Sequence, residues 1–305
     1  MDYALWCLIG TLYGILLGVI PMAGAGTAML LVFSFAGYFD PNPYYGLIFL
    51  ISVIAASSTA DSYTSLLTGI PGASTTAASI IDGYKMSKNG QAGKAIGIAM
   101  ADSTFNGVFF GILAFALLPF YAPIIYKFGV PELFMFMTLS IACVAFIVSK
   151  NFWLSVCAIG IGAFVGLIGI DPQTGGPRLT FDTLYLQDGV PIIMMIAGLF
   201  GIPELISGFK WGQNRPAPIN NYFAQLFDGF KTTLRLWRDS FRGGWIGFIA
   251  GLLPGVGPVG DMLAYGATVK AHPNDKFGVG NPKGLAGCEG ANNACLLYTS
   301  DAADE

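Results

Sequence analysis

The residues best suited to chemistry form one hydroxyl-rich run, S-S-T-A-D-S-Y-T-S-L-L-T-G-I-P-G-A-S-T-T, from Ser57 to Thr76. It sits between apolar stretches and carries one carboxylate, Asp61, followed by Pro71-Gly72. An acid inside apolar sequence costs several kcal/mol unless it is partnered, so it marks an ion, proton or ligand site by default. Asp61 is expected either to hold a cation or proton or to cap the helix that follows. Some of the hydroxyls have a plainer use, bonding back to helix carbonyls one turn earlier. Asp102, Asn106 and Asp261 are weaker candidates of the same kind. The single histidine, His272, stands beside Pro273 in a polar loop and is expected to be solvated.

A second source of chemistry is backbone. The segment G-T-L-Y-G-I-L-L-G-V-I-P-M-A-G, Gly10 to Gly24, has a counterpart in G-G-W-I-G-F-I-A-G-L-L-P-G-V-G, Gly243 to Gly257. Gly10, Gly14, Gly18, Pro21 and Gly24 fall on Gly243, Gly247, Gly251, Pro254 and Gly257, with Gly255 following the second proline. Proline removes a donor and breaks a helix, while glycine lets backbone approach a ligand. Half-helix ends then aim N–H groups at an anionic carboxylate or carbonyls at Na⁺. Paired Gly/Pro-interrupted segments in two halves of a membrane protein point to a transport site. The plainer reading is that these glycines let helices pack closely.

Composition says what must position these groups. The chain is 54% hydrophobic and 11% charged, with a mean hydropathy of +0.63. Soluble domains carry about 25% charged residues. An all-α polytopic membrane protein is expected, with Gly/Pro-broken helices and re-entrant hairpins. The alternation of a transmembrane β-barrel is missing. A net charge of −3 and the lack of a basic-aromatic patch argue against nucleic acid. Met1–Gly10 lacks the basic flank and cleavage site of a signal peptide, so the first apolar segment is expected to stay in the mature protein. Cys7, Cys143, Cys157 and Cys288 show no metal-ligand spacing and read as small buried hydrophobes.

Apolar segments run at about 4–20, 23–39, 43–60, 64–81, 95–120, 131–149, 152–170, 190–207 and 243–269. Basic residues gather in 82–94 and 208–242, whereas 171–189 holds only Arg178 against Asp171, Asp182 and Asp188. The positive-inside rule makes the first two loops cytoplasmic and the third external. The 243–269 stretch has basic residues at both ends and reads as a hairpin turning near Pro254-Gly255 rather than a single span. The first copy leaves through Tyr38–Pro43 with no basic residue, so the two copies are expected to enter from opposite sides, as an inverted repeat. The division is 1–207 for a first membrane repeat, 208–242 for a cytoplasmic linker and 243–294 for the start of a second, incomplete repeat. Residues 295–305 back-translate to a sequencing-library adapter and are expected to be foreign to the natural protein.

No Lys or Arg lies in the apolar cores of these segments. A bound di- or tricarboxylate would be neutralised by hairpin dipoles, hydroxyls and co-bound cations, which favours cation-coupled uptake. An intramembrane hydrolase pairing Asp61 with Asp261 is the main alternative, although P-V-G-D at Pro258–Asp261 lacks the G-x-G-D pattern of such enzymes. A scaffold or an uncoupled channel is the third.

The strings Gly14–Gly24, Ser57–Gly72, D-G-Y-K-M-S-K-N-G-Q-A-G-K-A-I-G from Asp82, and G-L-A-G-C-E-G-A-N-N-A from Gly284 resemble the large membrane subunit of tripartite tricarboxylate transporters. The resemblance covers nearly all of Gly10–Ala294. It implies a bacterial inner-membrane, multi-pass permease that works with a small membrane subunit and a periplasmic solute-binding protein. It also implies carboxylate uptake driven by a Na⁺ or H⁺ gradient, with no cofactor and no enzymatic activity. Carried over by position, it picks out Pro21, Gly24, Ser58, Thr59, Asp61, Pro71, Gly72, Pro254, Gly255, Gly257, Glu289, Asn292 and Asn293 for substrate or ion. Na⁺ is placed near Asp61, Asn292 and Asn293. A second I-P-G break is implied after the Asn pair. The chain departs from the pattern at Met22, where the family usually has glycine.

Overall fold

The computed structural model describes residues 2–20, 43–125, 127, 129–148, 151–171, 174–191, 194–195, 198–199, 202–203, 206, 221–253 and 256–294. These are almost wholly helical, in agreement with an all-α membrane protein. In chain order the helices are α1 (Asp2–Gly18), α2 (Pro43–Thr68), α3 (Ala92–Ile125), α4 (Val130–Val148), α5 (Phe152–Gly166), α6 (Tyr222–Arg235), α7 (Trp237–Leu252), α8 (Gly260–Ala271) and α9 (Pro282–Asn292). Two of them, over Tyr44–Thr68 and Ser87–Tyr121, are long and apolar enough to cross a bilayer. Polarity is arranged inside out. Leu16, Ile112, Phe115, Phe120, Trp153 and Ile161 face outward, while Asp61, Asp102, Asp261 and Glu289 are fully buried. Such a surface suits lipid rather than water.

Packing groups the described residues of Met1–Ser140 with those of Arg215–Glu305, and Ile141–Asn214 forms a second unit. Within the second unit, α5 is capped by Asn151, whose side chain accepts from the Trp153 amide. A short antiparallel ladder, Gly169–Ile170 against Pro177–Arg178, follows it. Arg178 pairs there with Asp171 at 2.6 Å.

In the first unit the glycine repeat proves to be a packing device. A side chain at Gly10, Gly14 or Gly18 would strike the backbone of Phe49, Val53 or Ser57 on α2. At Gly243 and Gly247 it would strike the backbone of Gly287 and Ala291 on α9. Both sets of partners advance by four as the glycines do, so α1 runs parallel to α2, and α7 to α9. The chain between α7 and α9 must therefore return, and α8 makes that return. The 16 residues of α7 span about 24 Å, short of a bilayer core. This is the helix–break–helix expected for 243–269, with the helix starting earlier, at Trp237.

Three expectations need correction. The helix does not stop between the apolar segments expected at 43–60 and 64–81: α2 continues unbroken to Thr68. The Ser58, Thr59 and Thr68 hydroxyls donate to the Ile54, Ala55 and Thr64 carbonyls, satisfying themselves without disturbing the helix. The break comes at Gly69, whose φ of 72° ends the helix. His272 is not simply solvated, since its Nε2 lies 2.9 Å from Asp239 Oδ1. Among the cysteines described, Cys288 is buried, whereas Cys7 and Cys157 face outward.

The interval 208–242 contains α6, seated on the start of α3. Gly93, Gly97 and Gly229 bring the two backbones together, and Lys94 Nζ pairs with Asp228 Oδ2 at 2.8 Å. The hydrogen bond from Lys94 holds the Asp228 carboxyl below its ordinary range. A depressed carboxylate stabilises the fold above the ordinary carboxylate range, and that stability is lost as pH falls through the folded value. Because the Asp228 side chain is 49% exposed, solvent screening limits the effect to about 0.5 kcal/mol. Asp228→Asn should therefore lower Tm by only about 1–2 °C at neutral pH, a gap that closes in melts taken toward about pH 3.

Candidate functional site

Helix α9 is the element on which the site depends. Its sequence, P-K-G-L-A-G-C-E-G-A-N, is poor in large side chains, and Gly284 through Asn292 are all buried. Gly290 abuts the Ser240 backbone of α7, and Gly287 abuts Thr268 of α8. Small residues let three helices converge on α9, so its few polar side chains point into protein.

The position of α9 is fixed by a carboxylate outside the site. Asp82 follows α2 in a π-helical turn, Ile80–Tyr84. Its Oδ1 accepts backbone N–H bonds from Gly278, Val279, Gly280 and Asn281 at 2.8, 3.1, 2.9 and 2.8 Å. The Tyr265 hydroxyl donates to Oδ2 at 3.0 Å. Gly278 and Gly280 have φ of 78° and 104°, the backbone needed to turn successive amides toward one anion. Asn281 then caps α9 by accepting from the Lys283 amide.

The site lies between α2 and α9. The Ser62 hydroxyl donates to Glu289 Oε2 at 3.0 Å. Asn292 Nδ2 donates to Ser62 Oγ at 3.0 Å and to the Ser58 carbonyl at 3.1 Å. Asn293 Nδ2 donates to Thr59 Oγ1 at 2.9 Å. Asp61 stands beside the Asn292 amide and within the field of Glu289. Asp61 Oδ1, Glu289 Oε1 and Asn293 Oδ1 are buried and accept no hydrogen bond. None of the ion pairs among the described residues involves Asp61 or Glu289. Two carboxylates in apolar surroundings without a basic partner carry a cost of several kcal/mol, and oxygen-only donors fit a hard cation.

Ser58, Thr59, Asp61, Glu289, Asn292 and Asn293 thus meet in one place although more than two hundred residues separate the halves. Gly72 supports them indirectly. A side chain there would strike the Asp61 backbone, and the Gly72 amide donates to Ser65 Oγ at 2.9 Å. Pro71 precedes it in the same turn. Gly257 opens a 3-10 turn, Gly257–Val259, ahead of α8. Pro21, Gly24, Pro254 and Gly255 lie outside the described residues.

Asp261 behaves differently from the acid expected of a hydrolase. Its Oδ2 accepts the Ala78 amide at 2.9 Å and its Oδ1 the Met262 amide at 2.7 Å. With both oxygens held by backbone amides, it anchors the start of α8.

A cavity of about 410 Å³ adjoins the cluster, lined by Ala55 and Thr59 of α2, by Ser103, Thr104, Gly107, Val108 and Gly111 of α3, and by Asn293 with Ala294. Thr59 and Asn293 belong to both cavity and cluster, and Asn293 Nδ2 reaches the Ser103 carbonyl at 3.5 Å. Sequence reasoning did not select Ser62, Ser103, Thr104, Gly107 or Gly111. The signal available was D-S-T-F-N-G-V-F-F-G, a polar patch with two spaced glycines within an apolar segment.

Residues 4–299 match the sequence model described as the Tripartite tricarboxylate transporter TctA family. The chain is 32% identical over 294 residues to a protein of Agrobacterium vitis described as an uncharacterized 52.8 kDa protein in the TAR-I ttuC' 3' region. The alignment covers 95% of this chain and 57% of that protein, so the chain spans little more than half the length of the curated relative it matches. No solved structure matches the chain.

Proposed function

This chain belongs to the tripartite tricarboxylate transporter TctA family, and from that premise we propose that it is part of the permease subunit of a cation-gradient-driven carboxylate transporter. In this reading the permease lies in the bacterial inner membrane with several spans. A small membrane subunit stands beside it, and a periplasmic binding protein delivers the substrate. One observation carries the reading: the 410 Å³ cavity shares Thr59 and Asn293 with the cluster that holds the buried Asp61 and Glu289. A volume of this size suits a small organic acid. The Ser103 hydroxyl, buried and without a partner, is the donor for a substrate carboxylate, beside Thr59 and Asn293 on the same wall. A cation on Asp61 and Glu289 offsets their charge and, by the same contact, attracts the anionic substrate. Binding of each ligand then favours the other, which is thermodynamic coupling.

The test is uptake of a labelled tricarboxylate into proteoliposomes holding permease, small subunit and binding protein. Uptake should require an inward sodium or proton gradient, and equal uptake with both gradients collapsed would refute the reading. Gly111 offers a probe of the cavity, because a side chain added there meets nothing within 4 Å. Gly111→Leu should leave Tm unchanged and reduce uptake at least about tenfold, by occupying substrate space.

A further inference from the structure

We propose that Asp102, with Thr233 and Ser240, forms a second site for a hard monovalent cation of the sodium type, separate from the Asp61–Glu289 site. This rests on the reading of the chain as a cation-driven permease. Asp102 is fully buried on α3. Its neighbour Ser103 lines the cavity, and successive helical residues diverge by about 100°. Asp102 is thereby turned to another side, where the hydroxyls of Thr233 on α6 and Ser240 on α7 flank its carboxylate.

Apart from Asp61 and Glu289, the other buried acids among the described residues have evident partners. Asp82 and Asp261 take backbone amides, and Asp239 takes Arg242 and His272. At Asp102 both carboxylate oxygens are buried and neither accepts a hydrogen bond of good geometry. The Thr233 hydroxyl is buried and unpartnered as well. Its neighbour Thr232 donates to the Asp228 carbonyl at 2.7 Å in the usual helical way, whereas Thr233 does not.

The nearby amide does not compensate the charge. Asn106 Nδ2 donates to Ser240 Oγ at 2.8 Å and to the Asp102 backbone carbonyl at 3.0 Å, leaving no N–H for the carboxylate. The site itself offers one carboxylate and hydroxyl oxygens, and it lies within the field of Glu289. A buried, ionised carboxylate in that setting costs several kcal/mol unless a cation joins it. Divalent ions call for more carboxylates, and no three His, Cys, Asp or Glu side chains converge among the described residues. A sodium-like ion satisfies both the charge and the oxygens.

Equilibrium binding of radiolabelled sodium to the purified permease in lipid nanodiscs tests this. Wild type should bind two ions per chain, and Asp102→Asn and Asp61→Asn one each. Thr233→Val keeps the carboxylate and the fold, and should weaken one of the two sites about tenfold. If wild type binds one ion, lost in Asp61→Asn and kept in both Asp102→Asn and Thr233→Val, the second site is overturned and the permease reading stands. If wild type binds no sodium, that reading is weakened together with the proposal.

Discussion

Glu289→Gln is expected to reduce cation-driven uptake by about two orders of magnitude without lowering the stability of the cation-free protein. The substitution removes one of two charges that hold the cation but keeps an oxygen that can accept from Ser62 Oγ. Truncating one member of a buried charged set typically costs 2–5 kcal/mol of binding, so about 3 kcal/mol is a fair expectation, or about a hundredfold in affinity. Asp61→Asn should behave alike, since Asp61 Oδ1 and Glu289 Oε1 both lack a donor. In cation-free buffer the two carboxylates repel each other, and removing one relieves that repulsion. The unfolding midpoint should therefore stay level or rise.

Two readouts separate this from a structural defect. Each sodium site should stabilise the wild-type protein by about 2.7 kcal/mol when sodium reaches a hundred times its dissociation constant, and Glu289→Gln should lose most of the increment due to the Asp61–Glu289 site. Asp261→Asn, at an acid held by backbone amides, should lose stability and keep its sodium response. Sodium-dependent stabilisation of Glu289→Gln equal to wild type would exclude the assignment.

Asp82→Ala should be the most damaging single change to the fold. It orphans four amides between Gly278 and Asn281, along with the Tyr265 hydroxyl. Hydrogen bonds to a charged acceptor contribute about 1.5–3 kcal/mol each, but orphaned amides in a loop recover some water, and such terms are not additive. A net loss of about 3–5 kcal/mol follows. Asp82→Asn keeps an acceptor in the same place without its charge, and about half that loss is expected. Because this loop seats α9, Glu289 and Asn292 move with it. Both variants should lose uptake in proportion to the population in which α9 is displaced. Thermal unfolding of detergent-solubilised protein, with and without sodium, is the measurement, and an unchanged midpoint in Asp82→Ala would sink the idea.

Asp61 was legible in the sequence because a carboxylate among apolar segments is costly wherever it lands. Glu289, Asn292 and Asn293 were not legible in that way. E-G-A-N-N within a glycine-rich stretch reads as a polar helix, and only resemblance to a family singled it out. The sequence places Asp82 in a cytoplasmic basic loop, which hides its burial, since charge counting sees Lys85 and Lys88 but not the Gly278–Asn281 amides, 196 residues and more along the chain. The glycine repeat was visible at once, yet its purpose was divided between ligand approach and helix packing. Gly10, Gly14, Gly18, Gly243 and Gly247 pack helices, and Pro21, Gly24, Pro254 and Gly255 lie outside the described residues.

The sequence by itself determined the solvent and the fold class. Low charge and closely spaced apolar runs require lipid, and lipid admits helices because each backbone group must find its partner within the segment. It also determined which helices could touch, because glycines every fourth residue present a side-chain-free face. Only the tertiary structure decided which carboxylates share a site. That depends on the parallel pairing of α7 with α9 and on the Asp82 clamp, which together carry Glu289 to Asp61. Such a meeting is a property of long-range packing, to which local propensity and spacing are blind, and it separates Asp61 and Glu289, each with one oxygen left without a donor, from Asp261, held by backbone.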